Sequence, residues 1–164
     1  MQEINVFVVD DHQIFLDGIV SLLDDEPNIK IAGTAHNGKQ AIERIKNVKV
    51  DVVLMDINMP EMDGIEATKI LRKSNPEIKI MMLTMHSEPR FIKECLEIGA
   101  KGYVLKNISK DDLLKAIDTV YQDKTYLDQD AQEKLISSIS NNDDDDDRNY
   151  DELAAQITQR ELEI

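Results

Sequence analysis

Five short apolar runs punctuate this chain, and each gives way to polar residues at its carboxyl end. INVFVV leads into Asp10 and Asp11, DVVLM into Asp56, KIMMLT ends in Thr84, and GYVL leads into Lys106; IKIAGTA is the weaker fifth run. Runs of this length and content suit strands covered on both faces. Stretches with apolar residues at helical spacing separate them, as in Phe15, Ile19, Leu22 and Leu23, or Ala41, Ile42 and Ile45. The alternation predicts strands over 4–9, 29–35, 51–55, 79–84 and 102–105, joined by right-handed crossovers into one parallel sheet. All carboxyl ends of such a sheet lie along one edge, where ligands bind. Three carboxylates, a hydroxyl and an ammonium then converge, a set suited to a divalent metal and an acyl phosphate.

The helix signals fit the same plan. A helix over 11–24 stops before Pro27-Asn28, and Asn37 is placed to cap one running to 46. The loop NMPEMDG precedes a helix over 65–74, which Asn75-Pro76 ends. Ser87 is the expected cap of the next helix, with Pro89 in its first turn and Gly99 closing it. Ser109 and Asp112 open a last helix reaching 121. A sixth helix is expected over 128–140, followed by the acidic run NNDDDDD at 141–147, a solvated linker.

VVDDHQIF, LMDINMPEMDG, LTMH and GAKGYVLK, in that order and each at a strand end, resemble the receiver domain of bacterial two-component response regulators. The resemblance runs from about residue 4 to 121, and its details are similar to the NarL/FixJ branch. It implies a doubly wound, flavodoxin-like α/β fold: five parallel strands in the order 2-1-3-4-5, with helices on both faces. It also implies that Asp56 accepts a phosphoryl group from a sensor histidine kinase, and that Asp10, Asp11, Asp56 and the backbone carbonyl of Asn58 hold Mg²⁺. Lys106 and Thr84 would contact the phosphoryl oxygens, and Thr84 and Tyr103 would form the switch. The branch further implies a LuxR-type helix-turn-helix output that controls transcription, and a phosphorylation-promoted homodimer. Many receivers carry a proline directly after the lysine; here Asn107 stands there, as is common in this branch.

The residues carry plainer readings as well. Asp10 and Asp11 suit capping of the helix they precede as well as ligation of a cation. Lys106 suits a solvated strand end, Thr84 a β-forming terminus, and Tyr103 an edge-strand core position. His86, two residues past Thr84, suits an indirect influence on dephosphorylation or a place on the surface. His12 and His36 show no partner set for a metal cluster, and Met55, Met59, Met62, Met81, Met82 and Met85 read as core and loop packing. Two other functions compete on this fold. A flavin carrier needs a Ser/Thr/Gly phosphate loop after the first strand, where Asp10 and Asp11 stand. An aspartyl phosphatase usually places its nucleophile after the first strand, and Asp56 follows the third.

Charge and length bound the rest. The net charge of −14 is uneven: residues 1–127 hold 16 Lys or Arg against 21 Asp or Glu, and residues 128–164 hold 3 against 12. No basic footprint for nucleic acid is visible, and the acidic balance predicts repulsion from phosphate backbones. The single cysteine, Cys95, forms no internal disulfide and reads as a buried apolar residue. The start MQEIN lacks the pattern of a signal peptide, and no run approaches the ~20 apolar residues of a membrane span, which points to the cytoplasm. The ending ITQRELEI carries a capping box at Thr158 and Glu161 and is similar to the opening of a LuxR-type domain. The expected organisation is thus a receiver over 1–127, a helical and acidic linker over 128–157, and the start of a truncated DNA-binding domain over 158–164. DNA contact is expected only through the absent remainder of that domain.

Overall fold

In the computed structural model, which describes residues 3–141, the apolar runs form one parallel sheet. Strands β1 (Ile4–Val9), β2 (Ile29–Ala35), β3 (Val52–Met55), β4 (Lys79–Thr84) and β5 (Gly102–Leu105) take the expected places, and the spatial order β2-β1-β3-β4-β5 is the doubly wound one. The sheet departs from the five-stranded expectation at one edge. A two-residue strand, β6 (Tyr126–Leu127), pairs in parallel with β5 through Gly102↔Tyr126 and Tyr103↔Leu127. Two residues are too few to show any periodicity in a sequence.

Side-chain alternation splits the core into two layers. From β1, Phe7 and Val9 face one side, while Ile4, Val6 and Val8 face the other. The second side is covered by α1 (Gln13–Asp24) and α5 (Lys110–Tyr121) through Leu16, Leu23, Leu113, Ile117 and Val120. The first is covered by α2 (Gly38–Ile45), α3 (Gly64–Ser74), α4 (Pro89–Glu97) and α6 (Gln129–Asn141). The helix expected over 128–140 is therefore present, and it is packed: Ala131 and Leu135 are fully buried in the same layer as Ile92 and Tyr103. The acidic run beyond Asn141, the capping box at Thr158 and Glu161, and the helix-turn-helix start lie outside the described residues.

The caps locate the loops that matter for the site. Asn37 accepts from the Gln40 N–H, and Ser109 accepts from that of Asp112, both as expected. Asp63 caps α3 by accepting from the Glu66 N–H. Ser87 does not cap α4. That place falls to Glu88, which makes no side-chain cap bond, because Pro89 is the first helical residue and holds its predecessor extended (φ −65°, ψ 132°). Gly99 leaves α4 with φ 105°, a conformation glycine tolerates without strain. Among the described residues, no helix is long and apolar enough to cross a membrane.

Candidate phosphoacceptor site

The carboxyl edge of the sheet gathers the polar residues that end the apolar runs. Asp10 follows β1, and its N–H reaches the Ala35 carbonyl at the end of β2 (3.1 Å). Asp56 follows β3, and its N–H reaches the Val9 carbonyl (3.0 Å). The two aspartates thus extend the ladder by one residue, which sets their side chains next to one another at the sheet's rim. Lys106, following β5, closes the group. Its Nζ lies 2.7 Å from Asp10 Oδ2 and 3.1 Å from Asp56 Oδ2. The remaining oxygens of those carboxylates accept backbone N–H groups, Asp10 Oδ1 from His12 and Asp56 Oδ1 from Ile57, each at 2.8 Å.

Two carboxylates around one ammonium, all largely out of water, leave an uncompensated negative charge. Asp56 shows the consequence: burial first, then the charge of Asp10, push its carboxyl above the usual range despite the lowering influence of Lys106. For Lys106, burial favours the neutral amine, but the hydrogen bond to Asp10 and the charge of Asp56 outweigh it and raise its pKa. The cluster is therefore poised to take up another positive charge.

Asp11 supplies the place for one. One oxygen of its carboxylate, Oδ1, is buried and receives no hydrogen bond. Buried carboxylate oxygens are rarely left so. Ligand atoms of Asp10, Asp11, His12 and Asp56 all lie within 4.8 Å of one another. Carboxylate oxygens converging at that scale fit a hard divalent cation, which takes oxygen ligands. The capping alternative for Asp11 is not realised, since the N-cap position of α1 falls to His12, which makes no cap bond. His12 departs from the expectation that it has no partner set for a metal cluster. Its Nδ1 lies 3.2 Å from Asp11 Oδ1 and 3.4 Å from Asp10 Oδ1. His36 instead meets the Gln13 side chain at 2.5 Å.

A second layer joins the site to α4. Thr84 is fully buried at the end of β4, between the strands that precede Asp56 and Lys106, and its hydroxyl accepts the His86 N–H at 3.2 Å. Tyr103 is also fully buried. Its hydroxyl donates to the His86 carbonyl at 2.6 Å, so the ring already occupies the interior beside β4. Burial pushes the phenol pKa well up, keeping it a donor. The His86 ring ties the two loops together: Nε2 is 2.7 Å from Asn58 Nδ2, Nδ1 is 3.5 Å from Glu88 Oε2, and the ring lies tilted 5.1 Å from that of Phe91. His86 is thus a brace between the β3–α3 and β4–α4 loops. Met85 departs from the packing expectation, standing 79 % exposed on the rim, while Met55, Met81 and Met82 are core. Cys95 is buried, its thiol pushed up to about 12 by desolvation, as an inert core residue should be.

Three residues of the site escape sequence reasoning. A Cβ on Gly64 would come within 1.8 Å of the Asp56 carbonyl oxygen, and the Gly64 N–H bonds the Ile57 carbonyl at 2.7 Å. Only glycine lets α3 start this close to Asp56; the sole signal is Asp-Gly at a helix start. Asp128 stands in the sequence only as the start of a helix. Its Oδ1 caps α6 through the Ala131 N–H (2.8 Å), and its Oδ2 accepts the Leu105 N–H (2.7 Å), one residue before Lys106. Phe15 carries the spacing of an ordinary inward helix residue, yet its ring lies 4.4 Å from Lys106 Nζ.

Comparison with known proteins gives a family and a fold. The family model described as response regulator receiver domain matches residues 6–118. The response regulator UvrY of Escherichia coli (strain K12) is 36% identical over 162 residues, covering 98% of this chain and 72% of its own length. A two-component response regulator of the LuxR family from Aurantimonas sp. SI85-9A1 superposes with a TM-score of 0.79 at 27% identity, covering 84% of this chain and 98% of that one. A structure of two RcsB dimers bound to two parallel DNAs gives a TM-score of 0.77 at 27% identity, covering 82% of this chain and 69% of that one. The chain spans 57% to 74% of the length of the leading curated relatives.

Proposed function

We propose that this chain, which belongs to the response regulator receiver family, takes a phosphoryl group on Asp56 and uses it to govern an attached output. The observation that carries the reading is Asp56 itself: a buried carboxylate with one oxygen on Lys106, beside Asp10 and beside the orphaned oxygen of Asp11. In the proposed step an Asp56 oxygen attacks the phosphorus of a phosphohistidine on a sensor histidine kinase. The O–P bond to Asp56 forms as the P–N bond to the imidazole breaks, and the electron pair leaves with the imidazole nitrogen. Carboxylate and phosphoryl group are both anionic. A Mg²⁺ ion held by Asp10, Asp11, Asp56 and the Asn58 carbonyl would supply the charge that lets them approach. Lys106 would then shift from the Asp56 carboxylate to a phosphoryl oxygen, with the Thr84 hydroxyl donating to another.

The role is regulatory, with no turnover of an external substrate; the chain's own part is to assist gain and loss of its phosphoryl group. Thr84 leaving the His86 N–H for the phosphoryl group would loosen the His86 backbone that Tyr103 holds, and so alter α4 and β5. This is a shift between existing states driven by local charge. The RcsB dimers on DNA and the LuxR-family neighbour support a transcription regulator that acts as a dimer and reads DNA through a C-terminal LuxR-type domain; a cytoplasmic location and pairing promoted by phosphorylation go with that reading. The domain limits that go with this reading extend the receiver past the expected 127 to take in the packed α6, with a connecting segment after it and the output from 158 onward.

Treatment with a small acyl phosphate and Mg²⁺, followed by intact-mass spectrometry, tests the assignment. One phosphoryl group is expected on the wild-type chain and none on Asp56→Asn. Undiminished label on Asp56→Asn would sink it.

A further inference from the structure

Lys106 has three N–H donors and two carboxylate partners. Its remaining side is met by the face of Phe15, with the ammonium 4.4 Å from the ring centroid. Little of the lysine is exposed. A cation over an aromatic face is attracted to the ring's quadrupole, and more strongly when water is excluded.

We infer that Phe15 is a positioning residue for the phosphoryl-transfer site: its ring face holds the Lys106 ammonium at the carboxyl edge while leaving it free to turn. This rests on the reading of Asp56 as phosphoacceptor. The chemistry of the ring is what suits it to the task. A carboxylate or carbonyl at the same place would bind a specific N–H and pin the lysine toward α1. A π face attracts the charge without a directed lone pair, so the ammonium rotates from Asp56 toward a phosphoryl oxygen at little cost. An aliphatic side chain would exclude water equally well but offer the cation no attraction. The lysine, a flexible four-carbon stem, would then sample orientations off the reacting oxygen.

Two measurements test this together. In the unmodified protein, the ring should shift the Lys106 Cε protons upfield in the NMR spectrum. The shift should persist in Phe15→Tyr and vanish in Phe15→Leu, independently of any phosphorylation. The second is the rate of label uptake from acetyl phosphate at saturating Mg²⁺. It is compared for the wild type, Phe15→Tyr, Phe15→Leu and full-length chains carrying mono-, di- and trifluorinated phenylalanine at position 15. Fluorination drains the ring face while nearly preserving shape, so a packing role would leave that series flat. Phe15→Tyr should match the wild type, Phe15→Leu should fall about three- to tenfold, and uptake should decline stepwise with fluorination. A flat fluorinated series on a chain that labels normally at Asp56 would overturn the inference, as would an unshifted Lys106 in the wild type. Loss of label specificity for Asp56, with the ring-current shift intact, would instead count against the phosphoacceptor reading.

Discussion

The sheet carries a carboxylate-and-lysine cluster at each end, and the two behave oppositely. At the amino edge, Asp123 lies 3.3 Å from Lys79 Nζ and 3.4 Å from Lys101 Nζ, with side chains 62%, 22% and 27% exposed. At the carboxyl edge, Lys106 lies between Asp10 and Asp56, with side chains 10%, 2% and 6% exposed. The charges of two lysines, Lys101 foremost, hold the Asp123 carboxyl below its usual range. Burial and Asp10 hold that of Asp56 above it. Residue types are the same, so stoichiometry and water decide. One carboxylate between two solvated lysines is satisfied; two carboxylates around one desolvated lysine, with a third nearby, are not. An unsatisfied anionic cluster is a place for chemistry.

The largest expected contrast is in phosphoryl uptake. Lys106→Met should slow labelling by acetyl phosphate on the order of 10²-fold or more, the usual effect of removing a charged stabiliser. Lys101→Met, at the other edge, should leave it unchanged. Equal losses would erase the distinction between the edges. A smaller contrast is expected in metal response. Asp11→Asn should weaken Mg²⁺ affinity by about tenfold or more, measured by NMR titration, whereas Asp123→Asn should not alter it. Mg²⁺ binding that survives in Asp11→Asn would show that the orphaned oxygen is not a ligand.

The smallest contrast is in stability, where the sign matters more than the size. A carboxyl raised by folding contributes stability below its unfolded pKa, near 3.8 for Asp56, and loses it as pH rises through the higher folded value. Ionised Asp56 is therefore a burden at pH 7, and Asp56→Asn should raise the melting temperature there. A lowered carboxyl contributes stability above its unfolded pKa and loses it as pH falls through the folded value. Asp123→Asn should lower the melting temperature at pH 7, though only by the about 0.2–1 kcal/mol of an exposed pair. Both substitutions shifting stability in one direction would break the comparison.

Much of the fold and of the site is legible in the amino-acid sequence. The apolar runs mark five strands because strands covered on both faces have no polar alternation to obscure them. The residues ending those runs mark the site because a parallel sheet must bring its carboxyl ends together. What stays hidden depends on contacts between distant segments. Phe15 has the spacing of any inward helix residue, and nothing local shows that Lys106 will lie on its ring. His12 turns back onto the aspartates through the loop, a matter of side-chain direction rather than pattern. Ser87 is by residue type a better cap than Glu88, yet Pro89 fixes where α4 begins. Gly64 is needed by the Asp56 backbone, a contact no periodicity reveals. β6 is too short to leave a pattern, and the packing of α6 follows from the need to cover β5, which only the assembled sheet makes visible.

That last contact bears on the far edge of the sheet. The receiver family match ends at residue 118, before β6 and α6 begin. Without them β5 would be a sheet margin with open N–H groups beside buried Tyr103 and Leu105, the kind of edge on which other strands add and chains aggregate. β6 takes part of that edge, Asp128 takes the Leu105 N–H, and Ala131 and Leu135 roof the apolar side. A chain ending after α5 at Tyr121, without β6 and α6, should therefore be less soluble, and more prone to intermolecular strand pairing, than one that runs through Asn141.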